Sequence, residues 1–385
     1  MPQIELTYKG LWKGFDTSLP ETDIDPSASP FMQNIILRKG ELRSRFALRN
    51  LCLAPDDGTD VLGATSFVDS NGLVHTIAMT QIAVYQLSYA FSTLGFQGNP
   101  WISLGNFGVG TVASTTQNTA PFSIANLQTK VFFSNGSPQV WSWDGQANAV
   151  NQQGNLAGGQ TCGAFYLMEL AGRIVLANTT ETASVGGVNV PFGFPFRVRW
   201  SPVNLASNTF DPSVNIGAGF NDMFDCPDAI TGVLPIGRTG YIFRSNGISE
   251  MIPTSGQGLA FDFNHLWASD RGIGNAFPQT LAGFGPMGIF GSGEGFYKIT
   301  PNSFDDIGKG ATDQIMSDLF TRTGSAQATI LPYFAPFYPY TVYCLFIQQG
   351  SDTKAWFYDL KESSWAPMLF KNKLFTCKPK YLMVA

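Results

Sequence analysis

The feature that most constrains the fold of this chain is a repeated pattern: an apolar run, a tight turn rich in glycine or asparagine, and a second apolar run. The pattern occurs six times, in segments Ser66–Leu87, Leu127–Asp144, Leu167–Trp200, Ile236–Ile252, Gly283–Ile299 and Tyr338–Leu360. Three turns contain Asn-Gly, at Asn71-Gly72, Asn135-Gly136 and Asn246-Gly247. This pair favours a type I′ hairpin, in which both central residues have positive φ. We therefore expect six β-hairpins.

The spacing of the turns indicates how the hairpins are organised. The turn centres lie near residues 71, 135, 178, 246, 293 and 350, and a long insertion is expected between Ala177 and Pro195. Strand-rich repeats of about 40–50 residues are typical of propeller blades, and wider spacings indicate inserted loops. The sequence predicts an all-β, propeller-like body of about six hairpin-based blades over residues 61–370. Only Ile307–Thr321 has a helical pattern.

Charge is distributed unevenly along the chain. Residues 51–370 contain 12 basic and 22 acidic side chains, a net charge of −10, whereas Ile36–Asn50 has five basic residues against one acid and Lys371–Ala385 has four lysines and no acid. These two basic stretches, within the predicted segments 1–60 and 371–385, are predicted to contact the body or a neighbouring copy, because opposite charges guide such fits. The predicted assembly contacts are Arg38, Lys39, Arg43, Arg45, Arg49, Lys371 and Lys373. A solvated acidic surface with basic ends is the simpler alternative.

Candidate catalytic and metal-binding residues are few. The two histidines, His75 and His265, are predicted to pack or to hydrogen-bond in loops, since no Cys/His cluster or nucleophile motif accompanies them. Carboxylates that could serve a glycosidase lie in turn-like contexts, where Asp bonds its own backbone. These candidates are Asp56, Asp57, Asp222, Asp225, Asp228, Asp305 and Asp306. We expect the protein to have no enzymatic activity, no bound metal and no cofactor.

Cysteines and tryptophans are expected to be structural. The five cysteines (Cys52, Cys162, Cys226, Cys344 and Cys377) are scattered, which indicates reduced thiols in a protein folded in a cytosol. No uninterrupted apolar stretch is long enough to predict a membrane span, and the first residues show no secretory signal pattern. The pairs Trp141/Trp143 and Trp356/Tyr358, with Trp365, are predicted to fill the space between sheets rather than to stack sugars.

Several short motifs resemble those of one protein family. The segment 231–308 contains Ile242-Phe-Arg-Ser-Asn-Gly-Ile-Ser-Glu250, Arg271-Gly-Ile-Gly274, Gly293-Glu-Gly-Phe-Tyr297 and Asp306-Ile-Gly308. The N-terminal part contains Asp25-Pro26, Gln33-Asn34 and Gly40-Glu-Leu-Arg-Ser-Arg45, and the middle contains Ala171-Gly-Arg173 and Val198-Arg-Trp200-Ser. Over about two-thirds of the chain, this set is similar to the tail nozzle, or tail hub, proteins of short-tailed bacteriophages.

The resemblance implies a structural protein of the virion with a propeller-like body. Members of the family form a ring, typically of six copies, at the distal end of the tail below the portal or adaptor. Viral DNA leaves through the channel of the ring, so DNA passes without tight binding. The protein would be made in the host cytoplasm and reside in the virion tail. The alternative, suggested by the carboxylates, is a propeller that binds or hydrolyses host surface glycans.

Overall fold

The structure is a computed structural model that describes most of the chain. The described residues are 14–15, 28–29, 33, 35–38, 41–44, 55, 57–88, 100–107, 120–147, 149–205, 209–225, 227–254, 260–266, 272–308, 310–331 and 341–371. They divide into two compact units. We call residues 55–278 the central unit, and the described residues up to 44 and from 279 onward the terminal unit. This division falls inside the predicted 61–370 body, and the predicted domain limits stay a prediction.

The terminal unit begins with four short strands: β1 (Gly14–Phe15), β2 (Ala28–Ser29), β3 (Ile35–Arg38) and β4 (Glu41–Ser44). Strand β1 pairs with β2 in parallel, and β3 pairs with β4 as an antiparallel hairpin.

The central unit contains four sheets of four antiparallel strands each. Sheet 1 consists of β5 (Val61–Val68), β6 (Val74–Thr80), β7 (Ala83–Leu87) and β8 (Trp101–Asn106). Sheet 2 consists of β9 (Ser123–Leu127), β10 (Lys130–Ser134), β11 (Val140–Trp143) and β12 (Asn151–Gln153). Sheet 3 consists of β13 (Cys162–Leu170), β14 (Arg173–Val185), β15 (Val188–Trp200) and β16 (Gly219–Asp222). Sheet 4 consists of β17 (Ile230–Ile236), β18 (Thr239–Arg244), β19 (Ile248–Pro253) and β20 (Phe261–His265).

The terminal unit contains two further sheets of the same kind. Sheet 5 consists of β21 (Ala282–Phe284), β22 (Met287–Gly291), β23 (Phe296–Ile299) and β24 (Phe304–Asp306). Sheet 6 consists of β25 (Ala326–Leu331), β26 (Val342–Gln349), β27 (Asp352–Asp359) and β28 (Ser364–Phe370). Helix α1 (Thr312–Phe320) lies between them in sequence, within the predicted segment. Short 3₁₀ turns span Ala157–Gly159, Val203–Leu205 and Pro278–Thr280.

Six antiparallel four-stranded sheets, each a meander of consecutive strands, confirm the predicted all-β, propeller-like fold. In the central unit, the apolar cores lie between sheets that follow one another in sequence. One core joins Leu127 and Phe132 of sheet 2 to Leu167 and Leu176 of sheet 3, and the next joins sheet 3 to sheet 4. Sheet 3 therefore contributes apolar side chains to a core on each of its two faces, as a propeller blade between two neighbours requires.

Three tryptophans and His75 are buried as the sequence predicts, whereas His265 is exposed at the end of β20, where its Nδ1 lies 3.5 Å from the Asp225 carboxylate. Trp143, Trp356 and Trp365 are buried, and the indole nitrogen of Trp365 donates a 2.7 Å hydrogen bond to the carbonyl of Ile307. His75 is buried between the rings of Phe67 and Trp143. The expectation that these aromatic side chains pack inside the protein is confirmed. Buried thiols are present at Cys162 and Cys344, and the other three cysteines lie outside the described residues.

The Asn-Gly pairs lie between paired strands, but they do not form type I′ turns. Gly72 and Gly136 have positive φ values of 81° and 86°, whereas the asparagines before them do not have positive φ, and neither does Gly247. The connection from β5 to β6 spans residues 69–73, and the one from β10 to β11 spans 135–139. These five-residue connections replace the predicted two-residue turns. The type I′ prediction is wrong at all three sites.

The third hairpin differs most from its prediction. The turn is not at residue 178, because Ala171 and Gly172 connect β13 to β14 with φ values of 52° and 72°, as a type I′ turn requires. The predicted insertion is a continuation of β14 and β15, which end at a second turn through Gly186 and Gly187 (φ 60° and 82°). Asn178, with φ of 55°, lies where the pairing of β14 with β15 shifts register, between the pairs Ala177–Val198 and Thr179–Phe194. Residues 177–195 therefore form two paired strands joined by this turn rather than a loop.

Substitution of Gly136 by valine is expected to destabilise the central unit clearly. A β-branched residue is strained at φ of 86°, and a Cβ atom at this position would also overlap the ring of Phe165. Gly72→Val is the matched control, because Gly72 has a similar φ but no heavy atom within 4 Å of the added carbon. Chemical denaturation of both variants measures the difference. Equal stability of Gly136→Val and wild type would contradict the conformation described for this turn.

Candidate assembly surface

The predicted assembly residues fall partly within the described chain. Arg38 lies at the end of β3, opposite Glu41 of β4, and Arg43 of β4 lies opposite Ile36. Lys371 is exposed directly after β28. Lys39, Arg45, Arg49 and Lys373 lie outside the described residues. Strand β3 lies against β28 within the terminal unit, so the structure brings the elements that carry the two basic ends together.

The carboxylates considered for glycoside hydrolysis have structural partners. Arg197 donates two hydrogen bonds of 2.7 Å to Asp222, and Arg244 donates two of 2.8 Å to Asp225. Lys298 Nζ lies 2.9 Å from Asp305, and Asp306 accepts a hydrogen bond from the amide of Gly308. The remaining candidates act similarly: Asp57 accepts hydrogen bonds from Thr59, Thr80 and Tyr85, Asp228 accepts two from Asn246, and Asp56 lies outside the described residues.

These partners keep the carboxyl groups ionised. Hydrogen bonds from Arg197, Arg244 and Lys298 are the main cause that lowers the pKa of Asp222, Asp225 and Asp305, respectively. A glycosidase needs one carboxyl group with a raised pKa to protonate the leaving oxygen. The three lowered pKa values are opposite to that requirement. None of these three groups is therefore suited to be the general acid.

The buried His75–Asp69 pair is a structural element of sheet 1. His75 Nε2 lies 3.2 Å from Asp69 Oδ2, and Nδ1 lies 3.1 Å from the side-chain amide of Gln86. Asp69 Oδ1 also accepts hydrogen bonds of 2.8 Å from the amides of Asn71 and Leu73. The two imidazole nitrogens thus contact a carboxylate and a side-chain amide. The pair orders the connection between β5 and β6.

A compact ionic cluster crosses β14, β15 and β16. We call Glu181, Arg197, Arg199 and Asp222 the ion cluster. Glu181 accepts hydrogen bonds of 2.9 Å from Nε and Nη2 of Arg199 and one of 3.1 Å from Arg197. The Arg197 guanidinium carbon also lies 4.0 Å from the ring centre of Phe194 and 4.5 Å from that of Phe220. Two cations and two anions balance each other here.

Beyond the ion cluster, the β14–β15 hairpin continues as a two-stranded ribbon. Because cross-strand partners share a face, one face carries Val185, Val188, Ala183, Val190 and Phe192. We call these five side chains the apolar ribbon face. The opposite face carries polar or small residues, and its Thr182 bonds Thr161 while its Asn189 bonds the carbonyl of Gly159. The ribbon therefore turns its polar face toward its own chain and its apolar face outward.

Sequence reasoning missed this ribbon, although a signal was present. Apolar residues alternate strictly from Val188 to Phe194, with Asn189, Pro191 and Gly193 between them. Such alternation with period two indicates a strand with one apolar face. Pro191 and Pro195 argue against a central strand, but proline is tolerated at the edge of a sheet, where its missing N–H faces outward.

Two other properties concern only the part of the chain that the structure describes. Within the ranges given above, no helix is both long and apolar enough to cross a lipid bilayer. Among the same residues, no group of three or more histidine, cysteine, aspartate or glutamate side chains is placed to hold a metal ion.

Comparison with known proteins gives no family. No family model and no curated protein matches the chain. Among solved structures, the chain is similar to the GH74 xyloglucanase of Xanthomonas campestris (TM-score 0.43, 11% identity), over 84% of this chain and 46% of that chain. It is also similar to the WD40 propeller domain of Doa1 (TM-score 0.40, 10% identity), over 85% of this chain and 86% of that chain. A third similarity is to Chaetomium thermophilum Raptor (TM-score 0.38, 7% identity), over 83% of this chain and 24% of that chain. At these values, the similarities assign no activity to this chain.

Proposed function

We propose that this chain is a non-enzymatic structural component of a short-tailed bacteriophage tail. It forms a ring, of six copies in the family it resembles, around the DNA ejection channel at the distal end of the tail. There it contacts the portal or adaptor and the other tail proteins. The proposal is supported by the propeller-like fold, by the charge distribution and by the family motifs at specific positions in that fold.

The observation that carries the proposal is the pairing of two separate family motifs. The motif at Ala171-Gly-Arg173 begins β14, and the motif at Val198-Arg-Trp200-Ser ends β15, with Val175 opposite Trp200. Arg173 donates a 2.9 Å hydrogen bond to the carbonyl of Ser201, whose hydroxyl accepts one of 3.0 Å from the amide of Ile174. Motifs that lie about 30 residues apart in the sequence therefore form one structural unit. This is expected if the resemblance reflects a shared fold.

The charge distribution also agrees with a channel that DNA passes through. A net charge of −10 over residues 51–370 leaves few cations to bind phosphate groups. A lumen rich in Lys and Arg would release counterions from the duplex and bind it tightly, with an affinity that falls steeply as the salt concentration rises. An acidic or neutral lumen would not retain DNA.

We expect the assembled protein to show negligible affinity for duplex DNA at both about 50 mM and about 200 mM salt. Fluorescence anisotropy with a labelled duplex measures this affinity. Variants that reverse the charge of Arg43 and Lys371 control for the basic ends. Tight binding that weakens with salt in the wild type would contradict the channel function. Loss of that binding in the charge-reversed variants would show that the basic ends face the lumen instead.

A further inference from the structure

The apolar ribbon face exposes large apolar side chains to solvent. Val185, Val188 and Phe192 are 55%, 64% and 45% exposed. A two-stranded ribbon is at best marginally stable in water without a packed face. Contiguous exposed apolar side chains of this kind mark interaction sites. The ribbon is therefore expected to be covered by another surface.

The partner contacts the face of the ribbon rather than its edge. Val185 and Val188 close a two-residue turn and therefore form a hydrogen-bonded pair. Hydrogen-bonded and non-hydrogen-bonded pairs alternate along an antiparallel ribbon, so every second residue of β15 directs its backbone groups to the outer edge. These outward positions are Asn189, Pro191, Gly193 and Pro195. Two of these four positions are prolines, which have no N–H to donate. An added strand would leave half of its acceptors at this edge unpaired, so strand addition is disfavoured.

Charge identifies a second copy of this chain as a suitable partner. Each copy has a net charge of −5, so contacts between two copies are favoured where the meeting surfaces are uncharged or of opposite charge. Residues 182–196 contain no charged side chain, and the ions at the base of the ribbon are paired with one another in the ion cluster. The ribbon can therefore approach a like-charged neighbour without bringing a net charge to the contact.

A complementary surface is present on the same chain. Val68, Leu73 and Val74, at the β5–β6 connection, are 51%, 58% and 52% exposed, and we call them the apolar tip. No Asp, Glu, Lys or Arg occurs between Asp69 and Lys130, and the Asp69 carboxylate is buried against His75. The apolar tip is thus also uncharged. Because both surfaces are exposed in a single copy, neither covers the other within that copy.

We propose that the apolar ribbon face of one copy packs against the apolar tip of a second copy. The proposal builds on the ring assembly proposed above. A contact between two different surfaces is heterologous, and it generates a ring when the rotation between neighbours closes. Each copy then contributes one ribbon and one tip, so both surfaces are buried in every copy of the ring.

Light scattering on the purified full chain tests this contact with three double variants. The ribbon variant is Val188→Asp with Phe192→Asp, and the tip variant is Leu73→Asp with Val74→Asp. The control, Ser184→Asp with Gly193→Asp, places the same two charges on the opposite face of the ribbon, where Gly193 has no heavy atom within 4 Å of an added carbon. We expect wild type and control to be oligomers, and the ribbon and tip variants to have the 41.8 kDa mass of a monomer.

Mixing the ribbon variant with the tip variant identifies the two contacting surfaces. One copy retains an intact tip and the other an intact ribbon, so the mixture is expected to form dimers of twice the monomer mass and nothing larger. If the mixture stays monomeric, the contact is not ribbon to tip and the inference is overturned. Circular dichroism spectra that match the wild type confirm folding. If the aspartate variants unfold, Val188→Ser with Phe192→Ser replaces the ribbon variant. We expect it to shift the mass measured by light scattering from the oligomer toward the monomer.

The remaining outcomes separate this inference from the proposed function. If the wild type is oligomeric and the folded ribbon variant keeps the same mass, the ribbon inference is overturned and ring assembly survives. If the wild type is monomeric, both are overturned. If the control dissociates like the ribbon variant, added charge alone accounts for the effect and the facial contact is overturned.

Discussion

Replacement of Glu181 by alanine is expected to destabilise the central unit by about 3–5 kcal/mol, the cost of removing one partner from a buried ion pair. Glu181 accepts three hydrogen bonds from two guanidinium groups and a fourth from Thr179. Arg199 is almost completely buried; it also donates a hydrogen bond to the carbonyl of Phe210, and its guanidinium carbon lies 4.9 Å from the ring centre of Phe220. Without Glu181, a buried positive charge would lack its counterion. Urea denaturation followed by circular dichroism measures this loss.

The matched control for this experiment is Asp228→Ala in the same unit. Asp228 accepts two exposed hydrogen bonds from Asn246, so its removal is expected to cost about 1 kcal/mol or less. A second variant, Glu181→Gln, keeps the shape of the side chain but removes its charge. Its loss of unfolding free energy is expected to lie between those of Glu181→Ala and Asp228→Ala. A Glu181→Ala protein no less stable than Asp228→Ala would contradict the ionic cluster described here.

The second large effect is expected from Gly163→Ala, which should destabilise the central unit by about 3 kcal/mol, at the upper end for overpacked sites. Gly163 of β13 lies against the connection between β10 and β11. An added Cβ atom would overlap the backbone carbonyl of Ser137 and the backbone of Gln139. Backbone atoms cannot rotate away as a flexible side chain can. The amide of Gly136 also bonds the carbonyl of Ala164 at 2.8 Å, which holds sheets 2 and 3 together at this point.

Gly193→Ala serves as the control, because it lies in the same sheet with no heavy atom within 4 Å of the added carbon. Its stability is expected to remain within about 0.5 kcal/mol of the wild type, as for an exposed surface substitution. Equal stabilities for the two alanine variants would show that sheets 2 and 3 do not approach as closely as described.

The sequence predicted where most hairpins turn, but not how they turn. Alternating apolar runs and glycines suffice to place five of the six turns, since they reflect strand burial and backbone freedom. The turn type also depends on side chains beyond the Asn-Gly pair that accept hydrogen bonds from the backbone amides of the connection. Asp69 accepts hydrogen bonds from the amides of Asn71 and Leu73, and Asp228 accepts one from the amide of Asn246. These bonds stabilise conformations other than the two-residue turn.

The ion cluster and the ribbon depend on strand register, which the sequence does not specify. Glu181 meets Arg197 and Arg199 across β14 and β15, whose pairing shifts register between the pairs Ala177–Val198 and Thr179–Phe194. Such a shift has no unambiguous sequence signal. The same shift sets which side chains of the ribbon lie on its exposed face. The basic ends, by contrast, could be predicted from composition alone, and their function in assembly stays a prediction.

The most direct test of the central claim is native mass spectrometry of the purified full chain at micromolar concentration. A tail ring predicts one closed species, with six times the 41.8 kDa mass of the chain as the expected value. A heterologous contact that closes gives a single mass, whereas one that does not close gives an open series of masses. A monomer as the dominant species, or such an open series, would contradict the account.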